Sequence, residues 1–231
     1  MSTSSIPKVI GHQGWPARFP GNTLAGFLAA TSLVDGFELD VRRSSDGKLV
    51  LSHDPILASM EVAAHPWSVL AEADLGDGHR PALLDEVLSS IPTIPFQIEI
   101  KNDPIQPGYE PDHRLALEAA DRARPGDVVT SFNWATAAAV RRVFPDVPTG
   151  IILSRHHDLH DAAEHCLDVG HQLLVPDYHL VDTPVADYSA GLEVTPFTVN
   201  EADLANELVG LGVSGIITDD PLEISAIRSK K

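Results

Sequence analysis

The sequence predicts an α/β fold: a parallel eight-stranded sheet closed into a (β/α)8 TIM barrel, with a short β excursion after the second strand. Three observations predict it. Eight short apolar runs recur along the chain, at 8–11, 37–41, 96–100, 128–131, 150–153, 172–175, 193–199 and 215–218. Between them lie stretches with Ala and Leu at helical spacing, at 23–34, 83–89, 114–124, 135–143, 158–169, 185–190 and 202–211. All of this fits within 231 residues with no Gly/Ser- or Pro-rich linker, so residues 1–231 read as one domain. Short apolar runs bounded by turn signals suit strands buried on both faces, and their alternation with helices calls for parallel, right-handed crossovers. Eight such units in a chain of this length fit a closed barrel better than an open doubly wound sheet, which is the alternative.

Taken in order, KVIG forms the first strand and places His12 at its end. The second strand, FELDV, is followed by RRSSDGKLVLSHD, which breaks the strand–helix alternation. Asp46-Gly47 is a turn signal there, and KLVLSH reads as an extra extended stretch that returns His53 towards the end of the second strand. QIEIK forms the third strand, after the helix-like LLDEVL at 83–88.

Strand geometry then selects the candidate site. Residues two apart on a strand share a face. In FELDV, Glu38 and Asp40 point one way, and Phe37, Leu39 and Val41 the other. In QIEIK, Gln97, Glu99 and Lys101 share a face opposite Ile98 and Ile100. If the apolar residues meet the helical layer, the charged ones face the barrel axis near the carboxyl ends of their strands, where such barrels carry their active sites. Three converging carboxylates repel one another, and a divalent cation resolves the conflict. Oxygen ligands without thiolate suit a hard ion such as Mg²⁺ or Ca²⁺. The competing reading is a structural network in which Lys101 and Arg42 or Arg43 serve as counter-charges.

His12 and His53 reach the same mouth, and imidazole is suited to moving protons to and from an alcohol near neutral pH. His156, His157, His160 and His165 lie on or before one helix-like segment and read as a solvated face. His157-x-x-His160 has a metal-like spacing without a third partner. His179, after LLVPDY, could reach the mouth from the sixth strand.

Composition narrows the partners. Formal net charge is −17, a surface that repels a nucleic-acid backbone, and the longest basic cluster is the terminal Arg228-Ser229-Lys230-Lys231. No apolar run approaches the roughly 20 residues of a spanning helix, and the start MSTSSIPKVIGHQG lacks the basic and apolar regions of a signal peptide. A lone cysteine, Cys166, allows no intrachain disulfide, so a cytoplasmic protein is expected.

The ordered set GHQG (11–14), PGNTLAGF (20–27), ELDV (38–41), DGKLVLSHDP (46–55), EIK (99–101), FTVN (197–200) and GVSGIITDDP (212–221) resembles the glycerophosphodiester phosphodiesterase family across nearly the whole chain. The resemblance implies metal-dependent hydrolysis of a small glycerophosphodiester to glycerol 3-phosphate and an alcohol. It implies that Glu38, Asp40 and Glu99 bind the metal, that His12 and His53 are the acid–base pair, and that Lys101 contacts the phosphate. Two positions depart from the family pattern: Gln13 stands where the family has arginine, and Gly21 where it has glutamate. Glutamine cannot replace a bidentate phosphate clamp, and a paired loss of the two charges is the expected explanation. The stretch between His53 and Leu83 is short; Trp67 within it packs over the mouth or in the core. Two other readings stay open: a barrel that binds a metal and a phosphate ligand without turnover, and a lysophospholipase D-like enzyme.

Overall fold

The structure, a computed structural model, describes residues 7–225; the basic tail and the first six residues lie outside them. The chain runs through β1 (Lys8–His12), α1 (Leu24–Ala30) and β2 (Gly36–Arg43) into an excursion made of β3 (Leu49–Leu51), β4 (Ile56–Leu57), β5 (Met60–Glu61) and α2 (Trp67–Leu70). It continues through α3 (Leu84–Ser90), β6 (Phe96–Ile100), α4 (Arg114–Ala120), β7 (Val128–Ser131), α5 (Trp134–Val143), β8 (Thr149–Leu153), α6 (Leu159–Val169) and β9 (Leu173–Pro176). It ends with β10 (Glu193–Val194), α7 (Ala202–Gly210), β11 (Gly215–Thr218) and α8 (Pro221–Ser225).

Eight parallel strands follow one another around a nearly closed barrel in the order β10-β9-β8-β7-β6-β2-β1-β11. Between β10 and β11 the seam is bridged by single bonds: Ser214 N donates to Val194 O at 2.8 Å, Ile217 N to Pro196 O at 3.0 Å, and Val199 N to Ile217 O at 2.9 Å. The expected strand over 193–199 is reduced to two ladder residues, although Thr195 N and Phe197 N still donate to Leu174 O and Pro176 O; on the side of β11, Pro196 has no N–H to offer. The segment 185–190 is not an α-helix but a single 3₁₀ turn, Val185–Asp187, behind Pro184.

The excursion forms as expected. β3 lies antiparallel to β2, with Val41 opposite Leu51 and Arg43 opposite Leu49. The turn is closed by Gly47 at φ 82°, with Ser44 N donating to Lys48 O. Trp67, partly buried, packs against the small cluster of Val50, Leu57, Val62 and Leu70 in this excursion.

Apolar residues on the outer face of the barrel hold the helical layer. Phe37, Leu39, Val41 and Ile98 are fully buried there. Phe27 of α1 meets Phe37 and Phe96 edge-on at 5.2 and 5.8 Å between ring centres. Cys166 is a free, buried thiol whose burial pushes its pKa up to about 12, so it stays neutral. Among the described residues no helix is long and apolar enough to cross a membrane.

At the opposite end from the charged strand ends, Asp127 is fully buried and accepts from Phe96 N at 2.8 Å and from Arg124 N at 2.9 Å. Arg124 in turn caps the carbonyls of Leu88, Ile91 and Ile94 at 2.8, 2.8 and 2.9 Å. The Arg124 guanidinium also pairs with Asp127, 2.9 Å from Nε to Oδ2, so Asp127→Ala leaves a guanidinium and two backbone amides without their acceptor, and breaking a buried pair in this way costs about 3–5 kcal/mol. Denaturant unfolding should show that loss; a change below about 1 kcal/mol would mean the network is not holding this end of the barrel.

Candidate active site

The register of two strands brings the carboxylates together. β2 and β6 are parallel neighbours with Asp40 opposite Glu99 and Glu38 opposite Gln97. Glu38, Asp40 and Glu99 are buried, and one oxygen from each lies within 4.8 Å of the others. Lys101, just past β6, sits between two of them, with Nζ 2.9 Å from Asp40 Oδ1 and 2.5 Å from Glu99 Oε1. Glu38 has no such cation, and its Oε1 is buried without a partner.

Asn22, in the turn before α1, holds the remaining oxygen of the middle carboxylate. Its Nδ2 donates to Asp40 Oδ2 at 2.8 Å, while its Oδ1 accepts from Asp40 N at 3.2 Å. Thr23 caps α1 by accepting from Gly26 N at 3.3 Å, which fixes this turn against the barrel.

The charges respond as the geometry requires. Burial first, and Asp40 beside it second, hold the Glu38 carboxyl well above the usual carboxylate range. Burial also raises Glu99. Asp40 is buried too, but Lys101 overcomes that penalty and lowers it. Burial opposes the charge on Lys101, yet Glu99 and Asp40 raise its pKa. The set therefore gathers three acids around Lys101, with the His12 ring 3.8 Å from Glu38 and the buried Arg42 guanidinium in the field of Asp40 and Glu99, and the three carboxylates are close enough to share a divalent cation. Arg43, one of the expected counter-charges, instead faces the helical layer and pairs with Glu110 and Glu118 at 2.6 and 2.8 Å.

Both histidines open on the same recess, about 140 Å³, together with Glu38, Glu99 and Lys101. His12 Nδ1 donates to Asp219 Oδ1 at 2.6 Å, which leaves Nε2 3.8 Å from Glu38 Oε2. Asp219 is itself held by Asn200 Nδ2 at 2.8 Å. Burial opposes a charge on His12, but the Asp219 bond and the fields of Glu38 and Asp40 outweigh it and push its pKa up to about 9. His53 is half in solvent, with Nδ1 donating to Asp54 Oδ1 at 2.8 Å. Its main chain is tied to β2, since Ser52 N donates to Asp40 O at 3.1 Å.

Gln13 lies over Gly21. Its backbone is left-handed, at φ 49°, and its Nε2 is 3.4 Å from His12 Nε2. A Cβ at position 21 would collide with the Gln13 amide oxygen, so the two departures from the family pattern touch each other.

Residues 12–223 match the profile of the glycerophosphoryl diester phosphodiesterase family. The chain belongs to that family. It is therefore an enzyme of the phosphoric diester hydrolase class. It is 28% identical to a glycerophosphodiester phosphodiesterase of Caldanaerobacter subterraneus subsp. tengcongensis, over 92% of this chain and 94% of that one. It is 26% identical to a glycerophosphodiester phosphodiesterase of Bacillus altitudinis, over 97% and 99%. The fold superposes on an Oleispira antarctica phosphodiesterase solved with the product sn-glycerol-3-phosphate, with a TM-score of 0.85, 22% identity and 97% and 98% coverage.

The remaining histidines divide. His156 and His160 are exposed as expected, but His157 and His165 are not a solvated face: both rings lie against Trp134, 5.1 and 4.9 Å from it. His160 packs on Tyr188, so the His157-x-x-His160 spacing makes no metal pair. His179 is exposed and bonds Asp177 at 2.7 Å, and it is not among the residues of the recess.

Replacing residues of this acidic cluster should separate cation affinity from fold stability. Glu38→Gln removes a buried like charge and should raise the melting temperature of the cation-free protein while abolishing the further rise that Mg²⁺ or Ca²⁺ produces. Asn22→Ala, which frees Asp40 to turn, should weaken cation binding by about 10–100-fold in calorimetric titration. Unchanged cation affinity in both variants would place the ion elsewhere.

Proposed function

We propose that the protein hydrolyses a glycerophosphodiester to glycerol 3-phosphate and an alcohol, with His12 and His53 moving the protons. The observation that carries this reading is the shared recess: two imidazoles open onto Glu38 and Glu99, which with Asp40 form a cluster of three buried carboxylates, and Glu38 has an oxygen with no partner. The glycerol 3-phosphate bound by the Oleispira antarctica phosphodiesterase supports the substrate class.

Glu38, Asp40 and Glu99 would hold a divalent cation, Mg²⁺ or Ca²⁺, which when bound supplies charge neutralisation at the phosphoryl oxygens. The protein's own groups do the rest. His12 is oriented by Asp219, so that its Nε2 faces the recess. His53 approaches from the excursion on the other side. One of the pair takes the proton of the attacking hydroxyl, from water or from the substrate's own glycerol; in the second case the cyclic phosphate formed is opened by water in a following step to give glycerol 3-phosphate. The other gives a proton to the departing alkoxide as the phosphorus–oxygen bond to the alcohol breaks. Lys101 keeps Asp40 ionised and presents its ammonium to the phosphate. Gln13 offers a neutral amide beside His12, where an arginine would have offered a charged fork. The alcohol has room in a neighbouring recess of about 640 Å³ that shares His53, Glu99 and Lys101 and is bordered by Phe132 and Trp134.

Hydrolysis of a panel of glycerophosphodiesters and a lysophospholipid, with and without chelator, tests this directly. Release of glycerol 3-phosphate that chelation abolishes is expected. His12→Ala and His53→Ala should each lower the rate by about 10²–10⁴-fold. Binding of the panel without release of any alcohol would instead describe a ligand-binding barrel, and preference for the lysophospholipid would reassign the substrate.

A further inference from the structure

β2 carries one more charged side chain on the face that presents Glu38 and Asp40. Arg42 follows them at the same two-residue spacing and is only 5% exposed. Burying a guanidinium is expensive unless a carboxylate compensates it. Among the described residues Arg42 forms no ion pair, whereas Arg43 on the opposite face forms two. Its donors go to a main-chain carbonyl instead. Nε and Nη2 lie 3.1 and 2.8 Å from His53 O. Nη2 also donates to Gln106 Oε1 at 2.7 Å. Gln106 is held in turn by Asp103, whose backbone oxygen accepts from Gln106 N at 3.0 Å.

This grip falls where the site is otherwise loose. The His53 side chain is 54% exposed, and Asp54, its own neighbour in sequence, supplies its side-chain hydrogen bond. An exposed imidazole is aimed mainly by its backbone. Three contacts fix that backbone: the Ser52 amide on Asp40 O, the Ser52 hydroxyl on Asp54 O at 2.8 Å, and the guanidinium on His53 O, the one that grips His53 itself. A forked donor can hold one carbonyl from two nitrogens, which a lysine cannot.

We propose that Arg42 is a positioning residue that sets His53 over the acidic centre by gripping its carbonyl, and that Gln106 keeps the guanidinium in that pose. The inference rests on the reading of His53 as a proton-transfer group. The rival role for Arg42 is a direct clamp on the substrate phosphate, since it also borders the larger recess with Lys101. The two roles differ in what happens once His53 is gone.

The test is a double-mutant cycle on the full chain with glycerophosphocholine as substrate: wild type, Arg42→Met, His53→Ala and the double variant. A misplacement of about 1 Å costs on the order of 100-fold, so Arg42→Met should lower kcat by about 10–100-fold with KM within about threefold. In the His53→Ala background the same change should alter kcat by less than about twofold, because its effect runs through the missing imidazole. Gln106→Ala should show a smaller loss, about 3–10-fold, that also vanishes without His53, and it carries the cycle if Arg42→Met does not fold. Multiplicative losses in the double variant, or a raised KM with kcat preserved, would overturn the proposal in favour of a phosphate clamp. A His53→Ala enzyme at full rate would sink the acid–base reading itself, a result distinct from either.

Discussion

Three carboxylates forced into one buried space by the pairing of β2 with β6 are the constraint around which the mouth of this barrel is arranged. Asp40 faces Glu99 across the ladder, and Glu38 stands one pleat below on the same face. Moving β2 by one residue would send Glu38 and Asp40 into the helical layer, and moving β6 would do the same to Glu99. The repulsion is only partly relieved within the protein. Lys101 serves Asp40 and Glu99, Asn22 serves the other oxygen of Asp40, and Glu38 retains an oxygen with nothing to bind. A site left in that condition is poised for a doubly charged ion, because only that charge density offsets both the mutual repulsion and the burial.

The outer layer keeps the register. Phe37, Leu39 and Val41 alternate with the acids and are fully buried, as are Ile98 and Phe27 beside them. Their burial points the charged set inward, so packing and chemistry are two faces of the same strands. The strand ends and loops then bring in the two imidazoles. β1 ends at His12, which Asp219 from the last strand's end locks by a 2.6 Å bond. The excursion folds back on β2 and hangs His53 from the other side. First strand, last strand and excursion thus meet over the pair of strands that carries the acids.

Period-two alternation made most of this legible. All eight strands, the inward face of E-x-D and E-x-K, and the return of His53 follow from spacing alone. What spacing could not show are partners distant in sequence. Asn22 reaches Asp40 from the turn before α1, and Asp219 reaches His12 across 207 positions. Both sit in motifs that stand out in the sequence, PGNT and TDDP, but nothing local says which carboxylate or ring they will touch. The β4–β5 hairpin escaped because its turn uses Ala58 and Ser59 at φ 45° and 69° rather than the Asn-Gly that marks such turns. His157 and His165 were misplaced on a solvated face because their partner, Trp134, belongs to another helix. Gln13 and Gly21, the two positions that depart from the family pattern, touch: in this pose of the glutamine a side chain at 21 would require its amide to move.

The central claim is that the acids of β2 and β6 share one cation. Anomalous scattering from crystals loaded with Mn²⁺ tests it most directly. The account predicts one strong peak among Glu38, Asp40 and Glu99, lost in a Glu38→Gln crystal. Crystals at saturating Mn²⁺ that show no density there, with Lys101 still bridging Asp40 and Glu99, would contradict it.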